Sequence, residues 1–119
     1  MSNSVRSFTI DLLGVQYIAR LQYKVLEAIE VKSKKTLMEL SVAAGSGSLS
    51  LKELVIILGD VLAENNQGFE RGVISKAIEA EGWLKPMKSA NKFLTWALQG
   101  PQDEPGQPSQ VAAGATEKK

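Results

Sequence analysis

The hydrophobic pattern at the start of the chain alternates with a period of two residues. In Ser7–Asp11, apolar Phe8 and Ile10 separate polar positions, which is the spacing of a half-buried strand. The alternation resumes over Tyr17–Leu21, and Gly14 between the two runs can adopt the positive φ of a tight turn. The pattern predicts a β-hairpin. Because two strands alone are marginal in water, this hairpin must pack on helices or pair with another chain.

From Tyr23 onward the apolar residues recur every three or four positions, which predicts helices. The third helix is the clearest, because Ser50 and Glu53 have the spacing of a capping box and a broad apolar stripe follows them. Its polar side carries Lys52, Glu53, Asp60 and Glu64. The five predicted helices run from Tyr23 to near Lys32–Lys35, over Leu37–Ala44, from Ser50 to about Asn65, from Val73 to Gly82, and from Pro86 to Gly100.

The residues before and after the last helix complete the predicted architecture. Trp83 and Leu84 are expected to pack under the connection that precedes it. Beyond Gly100 the chain is rich in Pro, Gly, Gln and Ala, and it has too little apolar surface to offset the entropy of ordering. The predicted fold is therefore α+β, mostly α. An N-terminal β-hairpin packs on a bundle of about five helices in a single domain, residues 1–100, followed by a disordered C-terminal tail, residues 101–119.

The composition narrows the possible chemistry. The chain has no Cys and no His, so thiol nucleophiles, thiolate metal sites and the usual base near neutral pH are excluded. No signal-peptide core opens the sequence, and no apolar run approaches the length of a membrane span. We therefore expect a cytoplasmic, non-enzymatic protein that needs no cofactor or metal and does not enter a membrane.

Two apolar residues depart from the apolar sides of their helices. Ile56 lies about 160° from the middle of its helix's stripe, and Trp96 about 130° from its own, at 100° per residue. Trp96 shares its sector with Lys92. Because exposed aromatic residues often anchor interfaces, these three residues are candidates for binding a partner protein. The alternative is that each of the two helices is covered on two sides.

Basic residues raise a second possibility, a site for nucleic acid. The residues that could gather into such a patch are Lys32, Lys34, Lys35, Arg71, Lys76, Lys85, Lys88 and Lys92. Acidic residues are interleaved with them, however, and the net charge of the chain is only +1. The sequence therefore favours a protein partner over nucleic acid.

The sequence resembles a family of small tail proteins from gene transfer agents and long-tailed phages. The likeness covers residues 5–100 and lies in four segments: IDLLG with YIARL in the hairpin, LEAIE in the first helix, LSLKEL at the third, and FLTWALQG at the end of the fifth. These segments are hydrophobic patterns without catalytic residues. The resemblance implies a tail assembly chaperone, although some members of the family are labelled tail tube proteins.

The resemblance also implies partners. A tail assembly chaperone would bind the tape-measure protein, protect its helices from aggregation and recruit tail tube subunits, and it could form a homo-oligomer. Its place would be the host cytoplasm, or the virion tail if it stays in the particle. The first alternative is a structural tail tube or tail completion subunit. The second is a small nucleic-acid-binding regulator.

Overall fold

The computed structural model describes residues 7–100 as a two-stranded hairpin and five helices, which confirms the predicted α+β, mostly α class. The elements are β1 (Ser7–Leu12), β2 (Val15–Arg20), α1 (Tyr23–Ser33), α2 (Leu37–Gly45), α3 (Leu51–Asn65), α4 (Gly72–Glu81) and α5 (Leu84–Gln99). The predicted disordered tail, residues 101–119, lies outside the described residues.

The hairpin closes through a two-residue turn. The strands β1 and β2 pair antiparallel in a register that places Leu12 opposite Val15. Between them, Leu13 has φ 55° and Gly14 has φ 80°, so both residues of the turn are left-handed, as a type I′ turn requires. The apolar side of β1, with Ile10 and Leu12, is buried as predicted.

The centre of the core is α3. Its stripe of Leu54, Ile57, Leu58, Val61 and Leu62 is fully buried. The helix packs against α1, β2, α4 and α5. At its start the predicted capping box is present: the Ser50 hydroxyl accepts from the Glu53 amide at 3.1 Å, and the Glu53 carboxylate accepts from the Ser50 amide at 3.0 Å.

Of the remaining helices, α1, α4 and α5 contact α3 directly, whereas α2 lies mainly against α5. The helix α5 buries one side, including Met87, Phe93 and Leu94, and packs extensively on α2. A second capping box begins α2, where the Thr36 hydroxyl and the Glu39 carboxylate each accept from the other residue's amide.

The prediction for Trp83 and Leu84 is wrong. Trp83 is the N-cap residue of α5 and Leu84 is its first residue, and instead of lying under a connection they are 43% and 59% exposed. The apolar residue that reaches the core from this end of the helix is Met87, one turn later and 4% exposed. The start of α5 therefore presents two large apolar side chains at the surface.

The turn yields a prediction about stability. Leu13 is 40% exposed and has a left-handed backbone that costs a side-chain-bearing residue about 1 kcal/mol. Asn tolerates this conformation and completes the Asn-Gly pair favoured in type I′ turns. We expect Leu13→Asn to stabilise the protein by about 1 kcal/mol. Thermal unfolding followed by circular dichroism should show a midpoint raised by several degrees.

The matched control is Leu13→Val, which places a β-branched residue at the same positive φ and should lower the midpoint. A midpoint for Leu13→Asn equal to or below that of the parent protein would contradict the assignment of strain to this residue.

Candidate interaction surfaces

The structure places Trp96 in the core, so its predicted exposure is wrong. The indole is 2% exposed and meets the Phe8 ring edge to face, with 4.8 Å between the ring centroids. The Lys92 ammonium lies 4.5 Å from the centroid of the same Phe8 ring. The second side of α5 is thus covered by β1, as the alternative interpretation required. The positions of Trp96 and Lys92 show that both hold the hairpin on α5.

Ile56 has an intermediate position. Its side chain is half-buried and lines a shallow cleft of about 270 Å³ together with Lys32, Lys34, Ser50, Lys52 and Glu53. Most of this lining is polar or charged. Part of the Ile56 side chain is accessible to a partner, but the residues around it are mainly polar. A partner role for Ile56 therefore stays a prediction.

The polar side of α3 is covered by α1, which the sequence pattern did not predict. Glu53 and Asp60 are both buried. Their charges are met by lysines that reach across from α1 and the residues after it. The three ion pairs are Lys24 with Glu64 at 2.6 Å, Lys32 with Asp60 at 2.7 Å, and Lys35 with Glu53 at 2.5 Å. Their order along the chain shows that α1 and α3 run antiparallel.

Asp60 is the most deeply buried of these carboxylates. Its Oδ1 atom accepts from Lys32 and lies 2.8 Å from Arg71 Nη1. Arg71 stands at the start of α4, so one carboxylate joins three helices. A side chain at Gly59 would interfere, because a Cβ there would lie 2.5 Å from Arg71 Nη1. Gly59 therefore lets the guanidinium pass close to α3 on its way to Asp60.

An opening with large apolar side chains in its lining lies between the end of α2 and the start of α5. This α2–α5 groove has a volume of about 350 Å³. Its lining includes Ala44, Gly45, Gly47, Trp83, Leu84 and Met87, with Lys88 and Asn91 at its polar side. The groove is open at Gly45 and Gly47, since a Cβ added at either residue would meet no atom within 4 Å.

Further apolar residues lead to this groove along the outer side of α2. Met38 and Val42 are exposed and stand four residues apart, so they share a side of the helix, and Gly45 follows three residues later. Trp83 and Leu84 lie across the groove from that side. The sequence signal for this surface was the pair of apolar residues at the helix start, directly after Gly82.

Four of the eight basic residues that could form a nucleic-acid site are paired with acidic residues. Arg71, Lys32, Lys35 and Lys85 each lie within 4 Å of a carboxylate oxygen, the last at 3.9 Å from Asp11. A phosphate backbone would have to compete with these intramolecular partners.

The described residues also bear on two other kinds of site. Between residues 7 and 100, no group of three acidic side chains is placed to hold a metal ion. None of the helices in that part of the chain is long and apolar enough to cross a membrane.

Comparisons with protein-family models, with curated proteins and with solved structures gave no significant match.

The Glu53–Lys35 pair predicts a pH dependence of stability. The hydrogen bond from the Lys35 ammonium, with further bonds from Ser50, lowers the pKa of Glu53. A carboxyl group whose pKa is lower in the folded state stabilises the fold above its unfolded value of about 4.3 and loses that contribution as the pH falls through the folded value. We expect Glu53→Gln to lower the unfolding midpoint at pH 7 by a few degrees, and the difference from the parent protein to vanish in more acidic solution.

Thermal unfolding followed from neutral to acidic pH measures this difference. Gln at the same position can still complete the capping box, so the change isolates the charge. Glu27→Gln, on the exposed side of α1, is the matched control and should show little pH-dependent difference. A constant difference between Glu53→Gln and the parent protein at all pH values would contradict the role of the ion pair.

Proposed function

We propose that this chain is a non-enzymatic phage tail assembly protein, a chaperone that binds the tape-measure protein and tail tube subunits. The resemblance in the hairpin and in α1, α3 and α5 suggests the family. The α2–α5 groove is the surface by which such binding would occur. The observation that carries the proposal is the exposure of Trp83 and Leu84 at the edge of this groove.

The groove has the features of a site for an amphipathic helix. It lies between two helices, and Trp83, Leu84 and Met87 in its lining offer apolar contacts for the side chains of a partner helix. Trp and Leu supply large contact areas at low entropic cost, and Trp is among the residues that most often dominate binding energy. Lys88 is the charged residue of the lining, which favours a partner segment with an acidic residue beside its apolar ones.

A chaperone role follows from the chemistry of the partner. The tape-measure protein is long and helical, and its apolar stripes would be exposed before the tail forms around it. Covering those stripes with the groove would keep them from associating with one another. This activity belongs in the host cytoplasm, before the tail is complete.

Whether the chain is found in purified virions distinguishes the proposed chaperone from a structural subunit of the tail. A tail tube or tail completion subunit would be present in purified particles, whereas a chaperone would be released. Salt-dependent DNA binding would instead indicate the nucleic-acid regulator, for which the paired basic residues give little support.

The test is co-expression of the full chain with candidate tape-measure and tail tube proteins, followed by co-purification and titration. We expect a stable complex with the tape-measure protein. Trp83→Ala should weaken it about thirtyfold, because removing an anchoring aromatic residue costs about 2 kcal/mol. Gly45→Gln should weaken it as well, by filling the groove while leaving Trp83 in place.

Two control variants show whether a loss of binding comes from the change in the groove or from a general effect of substitution on the fold. Gly45→Ala adds only a Cβ that meets no neighbour, so it should bind normally. Tyr23→Ala removes an exposed aromatic residue at the start of α1, outside the groove, and should also bind normally. If the well-folded parent protein associates with neither the tape-measure nor the tail tube protein, the proposed function is wrong.

A further inference from the structure

The two edges of the hairpin differ in a way that bears on self-association. In an antiparallel pair, alternate residues direct their backbone N–H and C=O groups away from the partner strand. Because Leu12 and Val15 flank a two-residue turn, they form a hydrogen-bonded pair, and Thr9 and Ile18 then form a pair whose backbone groups point outward.

The β2 edge is closed at Ile18 by a side chain. The Asn66 Oδ1 accepts from the Ile18 amide at 2.9 Å, and the Asn66 Nδ2 donates to the Ile18 carbonyl at 2.8 Å. The amide group of Asn66 thus makes the two bonds that a neighbouring strand would make. This contact also confirms the outward direction of the Ile18 groups.

The β1 edge has no such closure among residues 7–100. The sheet there consists of two strands only, and the side chains of Ser7 and Thr9 are exposed. The strand also lacks the proline and lysine residues that commonly protect edges. The outward-facing groups of Thr9 are therefore available to an added strand.

We infer that β1 pairs with β1 of a second copy of this chain, antiparallel and centred on Thr9, to give a four-stranded sheet. The register is self-complementary. With Thr9 opposite Thr9, each Ser7 hydroxyl stands opposite an Asp11 carboxylate of the other copy, so a donor faces an acceptor and the two Asp11 charges are kept apart. The pairing forms about six backbone hydrogen bonds by the antiparallel rule.

The geometry on the two sides of the new sheet also permits this pairing. A two-fold axis normal to the sheet keeps the apolar sides of both hairpins, with Phe8, Ile10 and Leu12, on the same side, where each lies on its own helices. The inference goes beyond the proposed function, because it concerns the protein alone and needs no tail protein.

Disulfide trapping gives a positive test. The chain contains no cysteine, and the Cα atoms of a hydrogen-bonded Thr9–Thr9 pair would lie about 5.5 Å apart, within disulfide range. We expect full-length Thr9→Cys to form a covalent dimer on mild oxidation, seen on a non-reducing gel. The matched variant Gln16→Cys, on the β2 edge, should remain monomeric.

Proline substitution tests the same pairing in solution. Thr9→Pro removes an outward-facing donor without removing a bond inside the hairpin, and Gln16→Pro does the same on the β2 edge. Light scattering over a range of concentrations should give a dimer for the parent protein and Gln16→Pro, with dimerisation by Thr9→Pro weakened at least about tenfold. Circular dichroism checks that both variants fold.

Three outcomes would overturn the inference. A parent protein that stays monomeric at every concentration excludes the dimer. Trapping of both cysteine variants to the same extent shows non-specific collision. A dimer that survives Thr9→Pro with no trapping of Thr9→Cys places the interface on another surface, such as the α2–α5 groove. None of these results depends on whether the chain binds tail proteins.

Discussion

The fold depends on burying both the apolar side of α3 and the carboxylates Glu53 and Asp60 on its charged side. A chain of 119 residues supports one core, and the only helix at its centre has both an apolar and a charged side. The apolar side is covered by the hairpin and α5. The charged side is covered by α1, and this is possible only because Lys32 and Arg71 compensate the buried Asp60 carboxylate, which would otherwise cost several kcal/mol.

This arrangement separates the structural surfaces of the molecule from the available ones. Most described ion pairs lie on the α1 side of α3, where their partners are intramolecular. The exposed apolar residues Trp83 and Leu84 line the α2–α5 groove, which shares no lining residue with these ion pairs. Binding at the groove would therefore leave the buried charges undisturbed, so affinity and stability can be altered by different substitutions.

The elements that the sequence predicted correctly depend on local spacing. The hairpin alternation and the Ser50–Glu53 capping box are short-range signals, and the same spacing at Thr36 and Glu39 marks the start of α2. The errors concern contacts between distant residues. Trp96 has β1 as a second neighbour, which its helical angle cannot indicate, and Asp60 meets Lys32 from 28 residues away. The groove was missed because Trp83 and Leu84 were assigned to a connection.

The Asn66 side chain also links the local opening of β2 to that of the end of α3. Besides holding Ile18, its Nδ2 donates to the Leu62 carbonyl at 2.9 Å, so one amide group spans β2 and the last turn of α3. Local opening of either element breaks bonds in the other, and the two should open as one cooperative unit. The Ile18 amide points away from β1 and has no strand on that side, but its hydrogen should exchange with solvent only at the rate at which the end of α3 opens.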